Sequence, residues 1–193
     1  MNNSHISRNV FSTLGAANVS TQEREKNDFY ATDPKAVRLL LKEEQFDKHI
    51  LEPMCGAGHI SETLKEAGYE VSSSDMFDRG YGEVKDIFSI TEWDGDIISN
   101  PPYKKALDYV RHCMDIIPAG HKVAMFLKLL FLEGKERGQW YKDNPPKVVY
   151  VARGRLLCAR GGDFTRNNSS AVAYAWFVWE KGYRGEPVIR WIN

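Results

Sequence analysis

Residues Asn100-Pro101-Pro102-Tyr103 set the strongest local constraint in this chain. Two consecutive prolines fix φ and remove two backbone donors, so regular structure has to stop there. The residue before a proline is pushed toward extended backbone. Asp96-Ile97-Ile98-Ser99, just upstream, is a short apolar run that reads as a strand. The product is a stiff turn at the carboxyl end of a strand, rich in carbonyl acceptors, with an amide side chain and an aromatic ring beside it. Such a turn suits a conjugated amino group on a flat ring or an amide. Pro145-Pro146 has no comparable setting and reads as a plain connector.

Strand and helix patterns alternate on both sides of this turn. Asp33-Pro34 is an N-cap and first-turn pair, followed by Val37, Leu40 and Leu41 at helical spacing and a helix end near Gln45. Ile50-Leu51-Glu52-Pro53 reads as the first strand and Met54-Cys55-Gly56-Ala57-Gly58 as a tight loop. Ile60, Leu64 and Ala67 mark the next helix, stopped by Gly68. Residues 69–73 form a second strand leading to Asp75, residues 84–88 a brief third strand or turn, and residues 96–99 a fourth. Leu107, Val110, Met114 and Ile117 make an amphipathic helix, ended by Pro118-Ala119-Gly120. Residues 123–127, 148–151 and 171–179 are the fifth to seventh strands, with a helix over 133–141 and an edge strand over 187–192. This alternation predicts an α/β fold with a doubly wound, mostly parallel sheet of seven strands. The last strands follow without helices between them, so a C-terminal strand is expected to run antiparallel.

A chain of 193 residues fits one domain, here residues 28–193, preceded by a polar flexible arm over 1–27. Cys55, Cys113 and Cys158 form no CxxC pair and the five histidines no ligand spacing, so neither disulfide nor metal is expected. A net charge of zero argues against non-specific nucleic-acid binding driven by counterion release, though it leaves room for a local basic groove. No apolar leader opens the chain, and the longest apolar run, 123–132, is interrupted by Lys128. A cytoplasmic protein without a membrane partner is the expectation.

In a doubly wound sheet, ligands sit outside the carboxyl ends of the strands near the point where strand order reverses. The loop Glu52-Pro53-Met54-Cys55-Gly56-Ala57-Gly58 falls there. Its Gly-x-Gly permits close backbone approach to a ligand, yet Ser61 stands where a dinucleotide fingerprint has its third glycine, and no Gly-Lys-Ser/Thr follows. Glu52 at the strand end suits a cationic group such as an α-ammonium or a sulfonium. Asp75, followed by Met76, ends the second strand, where a carboxylate can accept from both ribose hydroxyls. Asp86-Ile87-Phe88 offers an acceptor for an exocyclic amino group beside apolar walls for a flat base. The sum is a nucleoside with a cationic amino-acid end, which describes S-adenosylmethionine.

With these residues assembled, the chain resembles the class I methyltransferases. Within them it is most similar to the phage and prophage Dam-like DNA N6-adenine methyltransferases, from about Asp28 to the C-terminus. Tyr30 and Thr32, in Phe29-Tyr30-Ala31-Thr32-Asp33-Pro34, match the family's cofactor segment, with Asp33 inserted before the proline. Ile50 to Gly58 match its glycine loop, and Trp176-Phe177-Val178-Trp179 a late strand of packing aromatics. The resemblance implies a Rossmann-like methyltransferase sheet, S-adenosylmethionine as cofactor, and transfer to adenine N6. Asn100 and Pro101 would bind the amino group, Pro102 would stiffen the turn, and Tyr103 would stack on a base flipped out of its duplex. Release-factor methyltransferases share the Asn-Pro-Pro-Tyr motif, so a protein glutamine amide is an alternative acceptor, as are RNA adenine and an idle cofactor-binding subunit. Between Gly58 and Asn100 there is no room for a recognition domain. Residues 131–146 and the glycine-rich segment 153–170, with Arg153, Arg155, Arg160 and Arg166, are the candidate contacts to nucleic acid, with DNA expected. Oligomeric state is left open by the sequence.

Overall fold

The computed structural model describes residues 30–160, 164 and 172–193. The arm expected over 1–27 lies outside these residues. In chain order the elements are β1 (Tyr30–Thr32), α1 (Pro34–Glu43), β2 (His49–Glu52), α2 (His59–Glu66), β3 (Glu70–Asp75), β4 (Glu83–Val84) and β5 (Asp96–Ser99). Then come α3 (Ala106–Ile116), β6 (Lys122–Lys128), α4 (Lys135–Tyr141), β7 (Val148–Ala152), β8 (Cys158–Arg160), β9 (Tyr174–Glu180) and β10 (Val188–Ile192).

The main sheet has the order β10-β7-β9-β6-β5-β2-β3-β4. Strand pairing is parallel throughout except for β9, which runs antiparallel to both β6 and β7. The doubly wound α/β sheet expected from the sequence is therefore present. Its eight strands among the described residues are the seven expected and the edge strand expected over 187–192, β10, which pairs in parallel with β7.

Strand period sets the layers. Val123, Met125 and Leu127 of β6 pack on one face with Val110, Cys113 and Met114 of α3 and with Phe177 and Trp179 of β9. Ala124 and Phe126 point to the other face, with Val37 and Leu40 of α1, Leu64 of α2, and Trp176 and Val178 of β9. Trp176 and Trp179 are wholly buried, and the Trp176 indole donates to the Ala36 carbonyl at 2.9 Å. The aromatic run near the C-terminus is thus core on both faces. α1 starts where the cap predicts: Asp33 accepts from the Lys35 N–H at 2.8 Å and Pro34 occupies the first turn.

Over residues 84–88 the structure holds a brief strand and then the turn. Only Glu83–Val84 pair with β3, and Ile87–Ser89 turn into a 3-10 segment. The cause is Asp86, whose carboxylate accepts from the Phe88 N–H at 3.0 Å and so competes with extended backbone. The structure adds a separate two-stranded ribbon in which β1 pairs antiparallel with β8, Thr32 opposite Cys158. It carries the Tyr30–Thr32 segment over the carboxyl end of β5.

Candidate active site

The chain order reverses between β2 and β5, and a cleft opens at the carboxyl ends of β2, β3 and β5. It encloses about 740 Å³, its open mouth included. Tyr30, Thr32, Glu52, Pro53, Met54, Cys55, Asp75, Met76, Asp86, Ile87 and all four residues of Asn100-Pro101-Pro102-Tyr103 line it. Residues from five separate stretches of sequence are thereby brought to one wall-to-wall site. Its mix of apolar walls and a few carboxylates is what a small-ligand site requires.

The glycine loop forms one wall. Gly56 and Gly58 have φ of 54° and 84°, the left-handed region. A Cβ on Gly58 would stand 2.6 Å from the Tyr81 ring, so the position needs glycine on both counts. The loop is tied to β3 by the Cys55 N–H on the Ser74 carbonyl and by the Gly56 N–H on Asp75 Oδ2, both at 2.9 Å. Asp75 Oδ1 accepts from the Phe77 N–H at 3.0 Å and stands 4.0 Å from Arg79 Nε. Part of the Asp75 carboxylate is therefore engaged in shaping the loop.

Glu52 is almost fully buried, with only 1% of its surface exposed. It accepts from the Ser61 hydroxyl, which also meets the Ser73 hydroxyl at 2.6 Å. Burial pushes its carboxyl up to about 8, with the nearby Asp75 adding to the rise and Ser61 and Lys65 opposing it. Near neutral pH the group is mostly protonated. The sequence reading paired Glu52 with a cationic group; the structure makes it a carboxyl that such a neighbour would ionise.

Asn100 forms the floor. Its Nδ2 donates to the Tyr30 carbonyl at 2.9 Å and Thr32 Oγ1 at 3.0 Å, with Cys158 Sγ at 3.7 Å. Its Oδ1 is buried and has no hydrogen-bond partner among the described residues. Tyr103 is half-buried, its hydroxyl donates to Cys158 Sγ at 3.3 Å, and burial holds it well above its ordinary value and neutral. The Lys128 ammonium stands 4.5 Å from the Tyr103 ring centroid, with the Tyr30 and Tyr174 rings about 6 Å away. One ring face is thus already covered.

Several lining residues escaped the sequence reading. His59, Arg79 and Tyr109 reach the cleft, and Cys158 sits behind Asn100. Tyr109 lies off the stripe 107, 110, 114, 117 that identified its helix, and only Arg79, four residues after Asp75, carried a local signal. Of the arginine-rich segment, Arg153 and Arg155 are not among the residues lining the cleft. Arg153 and Arg155 are exposed, Arg160 ends β8, and Arg166 lies outside the described residues. No helix among the described residues is long and apolar enough to cross a membrane.

No protein-family model matches the chain, and no curated protein matches it. Solved structures do. A Listeria monocytogenes protein assigned to the class I S-adenosylmethionine-dependent methyltransferases aligns at TM-score 0.57 and 13% identity, over 96% of this chain and 71% of that one. The fold is that of the class I methyltransferases. A Thermotoga maritima S-adenosylmethionine-dependent O-methyltransferase aligns at TM-score 0.51 and 15% identity, over 80% and 66% of the two chains. A Vibrio vulnificus protein assigned as the modification subunit of a type I restriction enzyme aligns at TM-score 0.54 and 11% identity. That match takes in 96% of this chain and half of the Vibrio one.

Proposed function

We propose that this protein transfers a methyl group from S-adenosylmethionine to the N6 amino group of adenine in DNA. The observation that carries the reading is the buried, unpaired Asn100 Oδ1 in a cleft of methyltransferase fold. A buried carbonyl without a donor costs about 1–3 kcal/mol, and such a group is expected where a ligand supplies the missing N–H.

The residues present fit the cofactor. Asp75 offers a carboxylate to ribose hydroxyls, Ile87 and Tyr109 offer apolar walls to a flat base, and Glu52 can ionise against an ammonium or sulfonium. S-adenosylmethionine supplies a methyl group on a positively charged sulfur, ready to be displaced. The chain's part is to make the acceptor a better nucleophile. The N6 lone pair of adenine is delocalised into the ring. Asn100 Oδ1 and the Pro101 carbonyl each accept one N–H, which favours a more tetrahedral nitrogen and fixes its direction. The methylated nitrogen is acidic, so its proton leaves to solvent without a dedicated base. A duplex base reaches the cleft only by leaving its stack, at a cost of a few kcal/mol. Tyr103, which lines the cleft, is the ring that would stack on it. The likeness to the Vibrio restriction modification subunit is compatible with DNA as the polymer.

The test is label transfer from S-adenosylmethionine to duplex DNA, single-stranded DNA, RNA and protein, with nucleoside analysis of the product. N6-methyldeoxyadenosine is expected. Label appearing only in RNA or glutamine, or nowhere despite cofactor binding, rejects the reading. Asp75→Ala is expected to weaken cofactor binding roughly tenfold or more, because it removes a charged hydrogen-bond acceptor and frees the Gly56 N–H together. Titration calorimetry with the cofactor product checks this, and unchanged affinity removes Asp75 from the ribose.

A further inference from the structure

The nitrogen side of the Asn100 amide is held by one small piece of structure. Tyr30 and Thr32 lie on β1, and Cys158 on β8 is the register partner of Thr32. Residues two apart on a strand share a face, so the ribbon presents the Thr32 hydroxyl and the Cys158 sulfur together. Thr32 is 2% exposed. Cys158 Sγ also receives the Tyr103 hydroxyl at 3.3 Å, so one sulfur touches both polar ends of the Asn-Pro-Pro-Tyr turn. Burial pushes its thiol up to about 11, which keeps it protonated.

We infer that Thr32 and Cys158 are positioning residues that fix the rotation of the Asn100 amide, turning Oδ1 and not Nδ2 toward the acceptor amino group. The inference rests on the role proposed for Asn100 above. An asparagine amide is nearly symmetric in shape, with two donors at one end and an acceptor at the other. Packing alone therefore selects neither end. The Tyr30 carbonyl can only accept, so it repels Oδ1 and attracts Nδ2. Thr32 Oγ1 and Cys158 Sγ can donate as well as accept, and here they accept from Nδ2 and hold the end that the carbonyl selects. With the nitrogen committed to the ribbon, Oδ1 is left on the opposite side of the amide, without a partner among the described residues. The site then discriminates for an amino group and against a carbonyl at the same ring position, because two facing oxygens share no proton. This gives the β1–β8 ribbon a function: it joins segments distant in sequence behind one side chain.

Thr32→Val removes the hydroxyl at nearly constant shape, Thr32→Ser restores it, and Cys158→Ala removes the sulfur. The pair Thr32→Val with Cys158→Ala is expected to lower kcat about tenfold or more with cofactor affinity within about twofold, as for a misplaced catalytic group. Thr32→Ser is expected to transfer at close to the wild-type rate. In an Asn100→Ala background the same two changes are expected to cost nothing further, the signature of acting through Asn100. A loss of equal size in that background, or a loss confined to cofactor affinity, overturns the inference. If Thr32→Val does not fold, Cys158→Ala alone carries the same comparison. The Asn100 side-chain NH2 resonances give a readout independent of activity. Wild type is expected to show one slowly exchanging pair that the double variant loses, and an unaltered pair overturns the inference. An inactive wild type with these protected resonances rejects the proposed reaction and leaves the positioning intact.

Discussion

Asn100→Ala is expected to lower methyl transfer by roughly 10²-fold or more in kcat while leaving cofactor affinity nearly unchanged. Removing a single preorganised hydrogen-bonding group aimed at developing charge costs about 10²–10³ in rate in other enzymes, and the proposed reaction gives Asn100 Oδ1 the corresponding place at the acceptor nitrogen. Stability should change little, since the substitution deletes an unpaired buried oxygen along with the bonds to Tyr30 and Thr32. Asn100→Asp separates size from chemistry. It keeps the shape but sets a carboxylate oxygen against the Tyr30 carbonyl, so it should also lose transfer. Single-turnover assays and cofactor titration on the three proteins check both statements. Asn100→Ala with wild-type turnover and bound cofactor would remove the basis of the proposed function.

The site was more legible than the ribbon that braces it, for physical reasons. Glu52 and Asp75 end their strands and Asn100 follows one, and the buried pairs Ile50-Leu51 and Ile97-Ile98 mark two of the three as core strands. Strand ends on a parallel sheet converge on one edge, so reading three strand ends was enough to assemble the cleft. β1 and β8 have three residues each and pair across most of the chain, which leaves no local period to detect. The family resemblance set Thr32 beside the cofactor; the structure adds that its hydroxyl accepts from Asn100 Nδ2. The stretch 84–88 stayed open between strand and turn for a different reason. Val84, Ile87 and Phe88 suggest a strand, but Asp86 caps its own backbone and turns the chain. Position along the chain located Glu52, while its charge depended on burial, which the sequence does not display.

That burial carries the second large effect. Glu52→Gln is expected to stabilise the protein against wild type by a margin that widens from about pH 4.5 to 8 and is then constant. In the unfolded chain the carboxyl ionises near its ordinary 4.5, and in the fold near 8. Below 4.5 both states hold the proton and Glu52 carries no penalty. Between the two values the unfolded chain releases a proton that the fold retains, so wild-type stability falls by about 1.4 kcal/mol per pH unit from this group. The whole interval amounts to roughly 5 kcal/mol, against a total of about 5–15 kcal/mol for an ordinary domain. Glutamine still accepts from Ser61 and does not titrate. Urea denaturation of both proteins at pH 5 and pH 8 checks this, since other titrating groups cancel in the double difference. A margin independent of pH removes the buried carboxyl from the account. The same substitution is expected to weaken cofactor binding, most at pH 8 and above, where the wild-type carboxylate is ionised without help from the ligand. A group that destabilises the empty fold and strengthens its hold on a cation is the pattern of a binding residue, and a packing residue would not separate the two measurements.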